Sequence, residues 1–144
     1  MVDTPQVASE LTIAMTRLRA RLRLESSAPT RGWTWSQLST LHRVIEHGPL
    51  TAAALAQVEH VRPQSMAETV AALKVDDLVS TASDPTDGRK TLISATPHGH
   101  EVYDRVVATR EEWLIRTMDA VATPDERRLL ADAVKVLHKL ADAP

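Results

Sequence analysis

The chain has no cysteine. That absence removes disulfides, thiol redox sensing, cysteine nucleophiles and thiolate zinc sites together. Phenylalanine is missing as well, and glycine is scarce at 4 residues. With alanine and leucine abundant, few glycines favour a mostly helical protein. No apolar run approaches the length needed to span a bilayer. The N-terminus has no basic stretch leading into an apolar core, so no signal peptide is expected and the cytoplasm is the simplest location. An excess of positive charge is lacking too: the formal net charge is −2. That value does not advertise a nucleic-acid binder, although a dimer can carry a local basic patch on a neutral body. What is present is a 43% hydrophobic fraction in 144 residues. This suffices for one globular domain with a real core.

The apolar residues recur at helical spacing. Leu11, Met15, Leu18 and Leu22 fall on one face of a helix expected from about Val7 to Glu25. Arg17 and Arg21 flank that stripe on one side, Arg19 and Arg23 on the other. They read as a solvated border whose stems cover apolar surface, or as steering charges for DNA phosphates. Ser26 to Gly32 reads as a loop, with Pro29 and Gly32 as breakers. Thr34-x-x-Gln37 is a capping-box pattern that opens a second helix with Leu38, Leu41 and Ile45 inside. Gly48-Pro49 ends it.

The stretch from Leu50 to Thr96 carries the most information. Thr51 is a good N-cap for a short third helix, with Leu50 and Leu55 placed as a hydrophobic staple. Pro63 suits the first turn of a fourth helix, whose buried stripe is Met66, Val70 and Leu73. Leu78–Ser83 and Thr91–Ala95 read as two strands, and Asp87-Gly88 between them is a turn signal. Two compact helices and a two-stranded wing make a winged helix-turn-helix, spanning 34–96. Thr96-Pro97 and Thr123-Pro124 then open two more helices. The first has Tyr103, Val107, Leu114, Met118 and Val121 near one face; the second aligns Leu130, Ala133, Leu137 and Leu140. The helices at 7–25 and 97–141 are long and amphipathic, and a lone winged helix does not need them. Their apolar faces must be buried, and a second copy of the chain is the economical partner. The expected fold class is therefore mainly α with a small β-wing: one domain over 1–144, with N- and C-terminal dimerisation helices.

The N-terminal residues of a recognition helix usually reach the base edges. Here these are Arg62, Gln64, Ser65 and Glu68. Gln can pair bidentately with adenine, and Ser can serve several bases. An ordinary amphipathic helix with a mixed solvent face would look the same. The hairpin tip says more. Arg89 and Lys90 follow a tight turn, and a guanidinium there can enter a narrow minor groove. Asp87 is placed to hold it by a charge-assisted contact. Thr51 joins these as a candidate DNA contact.

From Leu73 to Gly99 the chain reads L-K-V-D-D-L-V-S-T-A-S-D-P-T-D-G-R-K-T-L-I-S-A-T-P-H-G. Leu-Val, then D-P-x-D-x-R, a second strand and T-x-x-G follow in the order and spacing of the multiple-antibiotic-resistance regulator (MarR) family, which the chain resembles from Val7 to Ala141. Asp84, Pro85, Asp87, Arg89, Thr96 and Gly99 fit the pattern. The resemblance implies a homodimer bound to a pseudo-palindromic operator in double-stranded DNA, released by a small phenolic or other lipophilic effector. There are two departures. Ala67 and Glu68 stand where the family commonly has Thr and Arg. Glu68 should weaken phosphate contact, or accept a hydrogen bond from cytosine N4. Asp77 stands where Gly is common, and Asp tolerates a left-handed helix end.

Other readings compete. Six histidines raise a metal-responsive variant of the same fold, but His98/His100 and His42/His47 have the wrong spacing for chelation on one helix. No metal site and no cofactor are expected. No G-x-S-x-G, P-loop, dinucleotide fingerprint or H-E-x-x-H is found, so no enzyme is expected. A winged helix that only dimerises or docks a partner, without DNA, is the remaining alternative; it would not need Arg89 and Lys90. An effector pocket is expected between the wing module and the dimerising helices. Trp33, Trp35, His42 and Trp113 are candidates to line it, or are simply packed.

Overall fold

A computed structural model describes residues 1–25 and 32–144. The loop expected from Ser26 to Gly32 falls, apart from Gly32, outside the described residues. The elements are α1 Thr4–Glu25, α2 Trp35–His47, α3 Ala52–Val58, α4 Pro63–Val75, β1 Val79–Ser83, β2 Thr91–Ala95, α5 Pro97–Val121 and α6 Pro124–Ala141. This is the mainly helical fold with a β-wing that the sequence implies.

Threonine hydroxyls start four of these helices, and each such cap contributes about 1 kcal/mol. Thr34 accepts from the Gln37 N–H at 3.1 Å while the Gln37 side chain accepts from the Thr34 N–H at 3.0 Å. Thr51 accepts from the Ala54 N–H at 3.1 Å. Thr96 accepts from the Gly99 N–H at 2.9 Å. Thr123 and Glu126 form the second reciprocal pair.

The chain divides into two compact units, Met1–Thr109 and Arg110–Pro144. In the first, the core joins Leu38, Leu41 and Val44 of α2, Leu55 and Ala56 of α3, Met66 and Leu73 of α4, Leu78, Val79, Ile93, and Val102 and Val106 of α5. Val44 is more deeply buried than the expected Ile45, and Val70 is half-buried. On α5 the buried line is Gly99, Val102 and Val106, while Tyr103 and Val107 are half-buried. The cause is Gly99. A Cβ there would collide with the Leu78 carbonyl oxygen, so this helix face presses on the chain just before β1.

The strands pair antiparallel, from Val79 opposite Ala95 to Ser83 opposite Thr91. Leu50 adds a bridge that its staple pattern did not announce. Its N–H donates to the Ile93 carbonyl at 3.0 Å, and Ile93 returns the bond at 2.8 Å. Asp77 takes the left-handed conformation at the end of α4, with φ 56°. That is the role expected of an Asp in a glycine position. α1 buries none of its residues.

The second unit holds the end of α5 and all of α6. Arg127 donates to Asp119 at 3.2 Å and to the Ala122 carbonyl at 3.3 Å, which ties the start of α6 to the turn before it. Leu129, Leu130, Val134, Val136, Leu137 and Leu140 remain exposed along α6. No described helix is long and apolar enough to cross a membrane.

Candidate nucleic-acid interface

α4 has one seated face and one open face. Met66 and Leu73 are buried against the core, and Val70 packs on it. Thr40 of α2 sets its hydroxyl 3.9 Å from the Met66 sulfur. On the other side Arg62, Gln64, Ser65 and Glu68 are exposed, and Ala67, Ala71 and Val75 lie beside them. Among the described residues the side chains of Arg62, Gln64, Ser65 and Glu68 make no hydrogen bond or ion pair. Pro63 leaves the helix start without an N–H to satisfy, and Arg62 before it supplies no side-chain cap. These four polar groups are therefore available to a ligand.

The wing tip is built by two aspartates. Asp84 accepts from the Thr86 N–H at 2.8 Å and from the Thr86 hydroxyl at 2.7 Å. These bonds, the N–H first, hold its carboxyl below the ordinary carboxylate range. Asp87 accepts from the Arg89 N–H at 3.1 Å and from the Arg89 Nε at 3.3 Å. The Arg89 side chain is 93% exposed. It is thus aimed by a neighbour while the rest of its fork stays open. Lys90 beside it is exposed too. The expected pairing of Asp87 with Arg89 is present. Gly88 is not in a left-handed conformation, so the turn does not depend on glycine there.

Thr51, also a candidate DNA contact, spends its hydroxyl on the cap of α3. Two polar ties then hold the wing to the end of α4, and a third joins that end to the segment ahead of α2. Lys74 Nζ donates to the Thr81 hydroxyl at 3.0 Å. The Thr96 hydroxyl donates to the Asp77 carbonyl at 2.5 Å. Trp33 Nε1 donates to Asp76 at 2.7 Å. T-x-x-G in the sequence is thereby explained: Thr96 caps α5 and holds Asp77, and Gly99 lets the helix lie close. A further group escaped sequence reasoning. Glu59, at the end of α3, accepts from the Ser39 hydroxyl at 2.7 Å and from Arg43 Nε at 2.9 Å. The only signal was an acid at a helix end, which is common on any surface.

The four candidate pocket residues sit in different surroundings. Trp33 is bonded to Asp76 and packs on the core. Trp35 faces α1, with the Arg19 guanidinium 5.3 Å from its ring centre. It lines an open groove of about 450 Å³ with Thr12, Met15, Leu18 and Leu22. His42 stacks on Tyr103 with ring centres 5.2 Å apart, and its Nδ1 is buried without a hydrogen-bond partner among the described residues. Trp113 belongs to the second unit and is half-buried. Of the flanking arginines on α1, Arg19 covers Trp35 and Arg21 pairs with Glu25 at 3.0 Å. Among the described residues no three His, Asp or Glu side chains gather as metal ligands would.

Comparison with known proteins places this geometry. Residues 33–91, which include α2 to α4 and β1, match the MarR family. The whole chain is similar to an uncharacterized HTH-type transcriptional regulator of Mycobacterium bovis. The two are 35% identical over 143 residues, covering 99% of this chain and 98% of that one. A crystal structure of a transcriptional regulator from Pseudomonas aeruginosa is 33% identical, with a TM-score of 0.79 over 96% of each chain. BpsR of Bordetella bronchiseptica, whose DNA binding is regulated by 6-hydroxynicotinic acid, is 23% identical. Its TM-score is 0.75 over 100% of this chain and 99% of that one, a likeness of fold.

Proposed function

The chain belongs to the MarR family of DNA-binding transcription regulators, and from that premise we propose that it is a homodimeric, effector-responsive repressor acting on a pseudo-palindromic operator in the cytoplasm. The whole of 1–144 acts as one MarR-like domain in this reading, with 34–96 on DNA and 7–25 and 97–141 joining the protomers. Arg62, Gln64, Ser65 and Glu68 meet the major groove. Arg89 and Lys90 meet the neighbouring minor groove, with Asp87 as their anchor. Thr51 contributes as the residue that caps the helix before α4, and any contact it makes with phosphate is secondary to that.

The observation that carries the reading is the wing tip. A fully exposed arginine is rarely held in one place, yet Arg89 is pinned by Asp87 through both its backbone and its side chain. Such an arrangement adds about 1 kcal/mol or less to stability, and it suits a cation that must enter a narrow groove. A module that only docked a protein would not need it. The exposed leucines of α6 and the exposed Ile13, Met15 and Leu18 of α1 support the dimer, because faces of this kind seek a partner. The effector is a small lipophilic or phenolic molecule, as BpsR's response to an aromatic acid illustrates for a fold relative. The groove beside Trp35 offers it a receptor, while Trp33 packs on the core and His42 stacks on Tyr103.

Selection of duplexes from a random DNA pool tests the reading, followed by salt titration and sedimentation. A pseudo-palindrome with half-sites about one turn apart, roughly 34 Å, is expected. Log affinity should fall steeply with log salt, and the mass should be twice 15.8 kDa. A monomer at micromolar concentration, or no enrichment of any duplex, would overturn it.

A further inference from the structure

We infer that Glu59 is a positioning residue for DNA recognition: its carboxylate fastens the turn between α3 and α4 to α2, and so sets how Arg62, Gln64 and Ser65 approach the groove. The inference rests on α4 being the helix that enters DNA.

Glu59 stands where an acid is poorly placed. It is the C-cap of α3, at the negative end of a helix, on the turn leading into a helix meant for phosphate-rich surroundings. Its side chain is only 13% exposed, and burying a carboxylate is costly unless it is paired. The pairing is complete and comes from one element. Ser39 donates to Oε2 at 2.7 Å and Arg43 donates to Oε1 at 2.9 Å. Ser39 and Arg43 are four apart on α2, so they share a face. Each oxygen is thus held from the same helix, which fixes both the distance and the direction of the carboxylate.

Backbone bonds close the turn itself: the His60 N–H donates to the Gln57 carbonyl at 3.3 Å and the Val61 N–H to the Ala56 carbonyl at 3.0 Å, so what Glu59 adds is the tie to α2. His60, the next residue, is left-handed with φ 54°, a conformation that a non-glycine residue keeps only when its surroundings impose it. Between α2 and the first turns of α4 lies a cavity of about 230 Å³ with a mixed lining, Ser39, Glu59, Ser65 and Thr69 beside Val61 and Met66. Met66 seats α4 on the core, and Glu59 adds the tie of the preceding turn to α2. The Thr40 hydroxyl also lies 3.9 Å from the Met66 sulfur across this gap, a weak contact. Arg62 follows Glu59 by three residues, so a shift of the turn is passed directly to the groups that read bases.

Three substitutions separate length, charge and presence. Glu59→Gln keeps the length and can still bond both partners. Glu59→Asp keeps the charge but retracts the oxygens by about 1.5 Å. Glu59→Ala removes the clamp. Anisotropy titrations would use the duplex selected by the wild-type chain and an unrelated duplex of equal length. Alanine and aspartate should lose about tenfold or more on the selected duplex, the loss of a misplaced base contact. Their binding to the unrelated duplex should stay within about twofold, because phosphate attraction needs less exact placement. Glutamine should restore most of the loss. A specificity ratio for alanine equal to the wild-type ratio would overturn the inference. So would tighter binding by alanine to both duplexes alike, which would make Glu59 a repelling charge only.

Hydrogen exchange without DNA judges the clamp separately. The first bonded N–H of α4 is that of Met66, to the Arg62 carbonyl at 3.0 Å. It should exchange faster in the aspartate variant and as in wild type in the glutamine variant, while Leu41 and Val44 of α2 stay protected. If the alanine chain does not fold, the glutamine and aspartate contrast still decides. Equal exchange at Met66 in those two variants would overturn the clamp. Failure of the wild-type chain to bind any duplex would count against the proposed function, and this exchange result would remain to judge Glu59.

Discussion

Replacing Arg89 by alanine should cost DNA affinity while leaving the fold intact. The side chain is 93% exposed and its partner Asp87 is 32% exposed, 3.3 Å away. An ion pair that open contributes about 0–1 kcal/mol, and a surface substitution of this kind changes stability by about 0.5 kcal/mol or less. On DNA the same guanidinium is worth about 1–3 kcal/mol per wing. A dimer engages two wings, so the operator complex should weaken by about 2–6 kcal/mol if both insert. At about 1.4 kcal/mol per factor of ten, this is roughly thirtyfold at the least. If the wing also meets phosphate, the slope of log affinity against log salt should flatten by about one for each phosphate no longer neutralised. Arg89→Lys should fall between, because lysine keeps the charge but not the fork that Asp87 orients. Asp87→Ala should cost less than Arg89→Ala, since it frees the arginine without removing it. The assay is anisotropy on a selected duplex at several salt concentrations, with a thermal melt of each variant. Wild-type affinity and an unchanged slope for Arg89→Ala would remove the wing from the mechanism. A large fall in melting temperature would show that the residue supports the fold instead.

Glu68→Arg distinguishes two roles for an acid on the open face of α4. If Glu68 only repels phosphate, binding to all duplexes should strengthen with a steeper salt slope; if it reads cytosine, the ratio of specific to random binding should fall by about 1–3 kcal/mol. Equal affinities for both chains on both kinds of duplex would mean that this face does not meet the groove. Gly99→Ala should destabilise the chain by about 1–3 kcal/mol through overpacking, because its Cβ meets the Leu78 carbonyl. Gly88→Ala, with open space around it, should stay within about 0.5 kcal/mol, and similar urea midpoints for the two variants would contradict the packing argument. The Asp84 carboxyl titrates lower in the folded chain because Thr86 bonds its charged form. Its contribution to the wing is therefore complete above the ordinary carboxylate pKa of about 3.9 and is lost as pH falls through the lowered value. Exchange at the Thr86 amide should accelerate, relative to its intrinsic rate, only below about pH 4, and Asp84→Ala should abolish that step; a step near neutral pH would refute the assignment.

Signals that act within a few residues were legible in the sequence. The caps at Thr34, Thr51, Thr96 and Thr123 form bonds to an N–H three residues on. The left-handed Asp77 and the pairing of Asp87 with Arg89 are as local. Helix and strand order follow from such signals and from apolar spacing, because both depend on the backbone's own geometry. The order D-P-x-D-x-R and T-x-x-G also carried the family. Tertiary structure alone decided what lies opposite what. Glu59 meets Ser39 and Arg43 across 20 and 16 residues, and Trp33 meets Asp76 across 43. No spacing rule links such pairs. Periodicity marked an apolar stripe on α5, but it cannot choose between adjacent lines of a helix. The close approach of Gly99 to Leu78 turned Val102 and Val106 inward and left Tyr103 to stack on His42. The candidate pocket residues were chosen for being aromatic, and burial is the ordinary use of an aromatic. Only the packing of separate elements assigned Trp33 to a hydrogen bond, His42 to a stack and Trp35 to the groove beside α1.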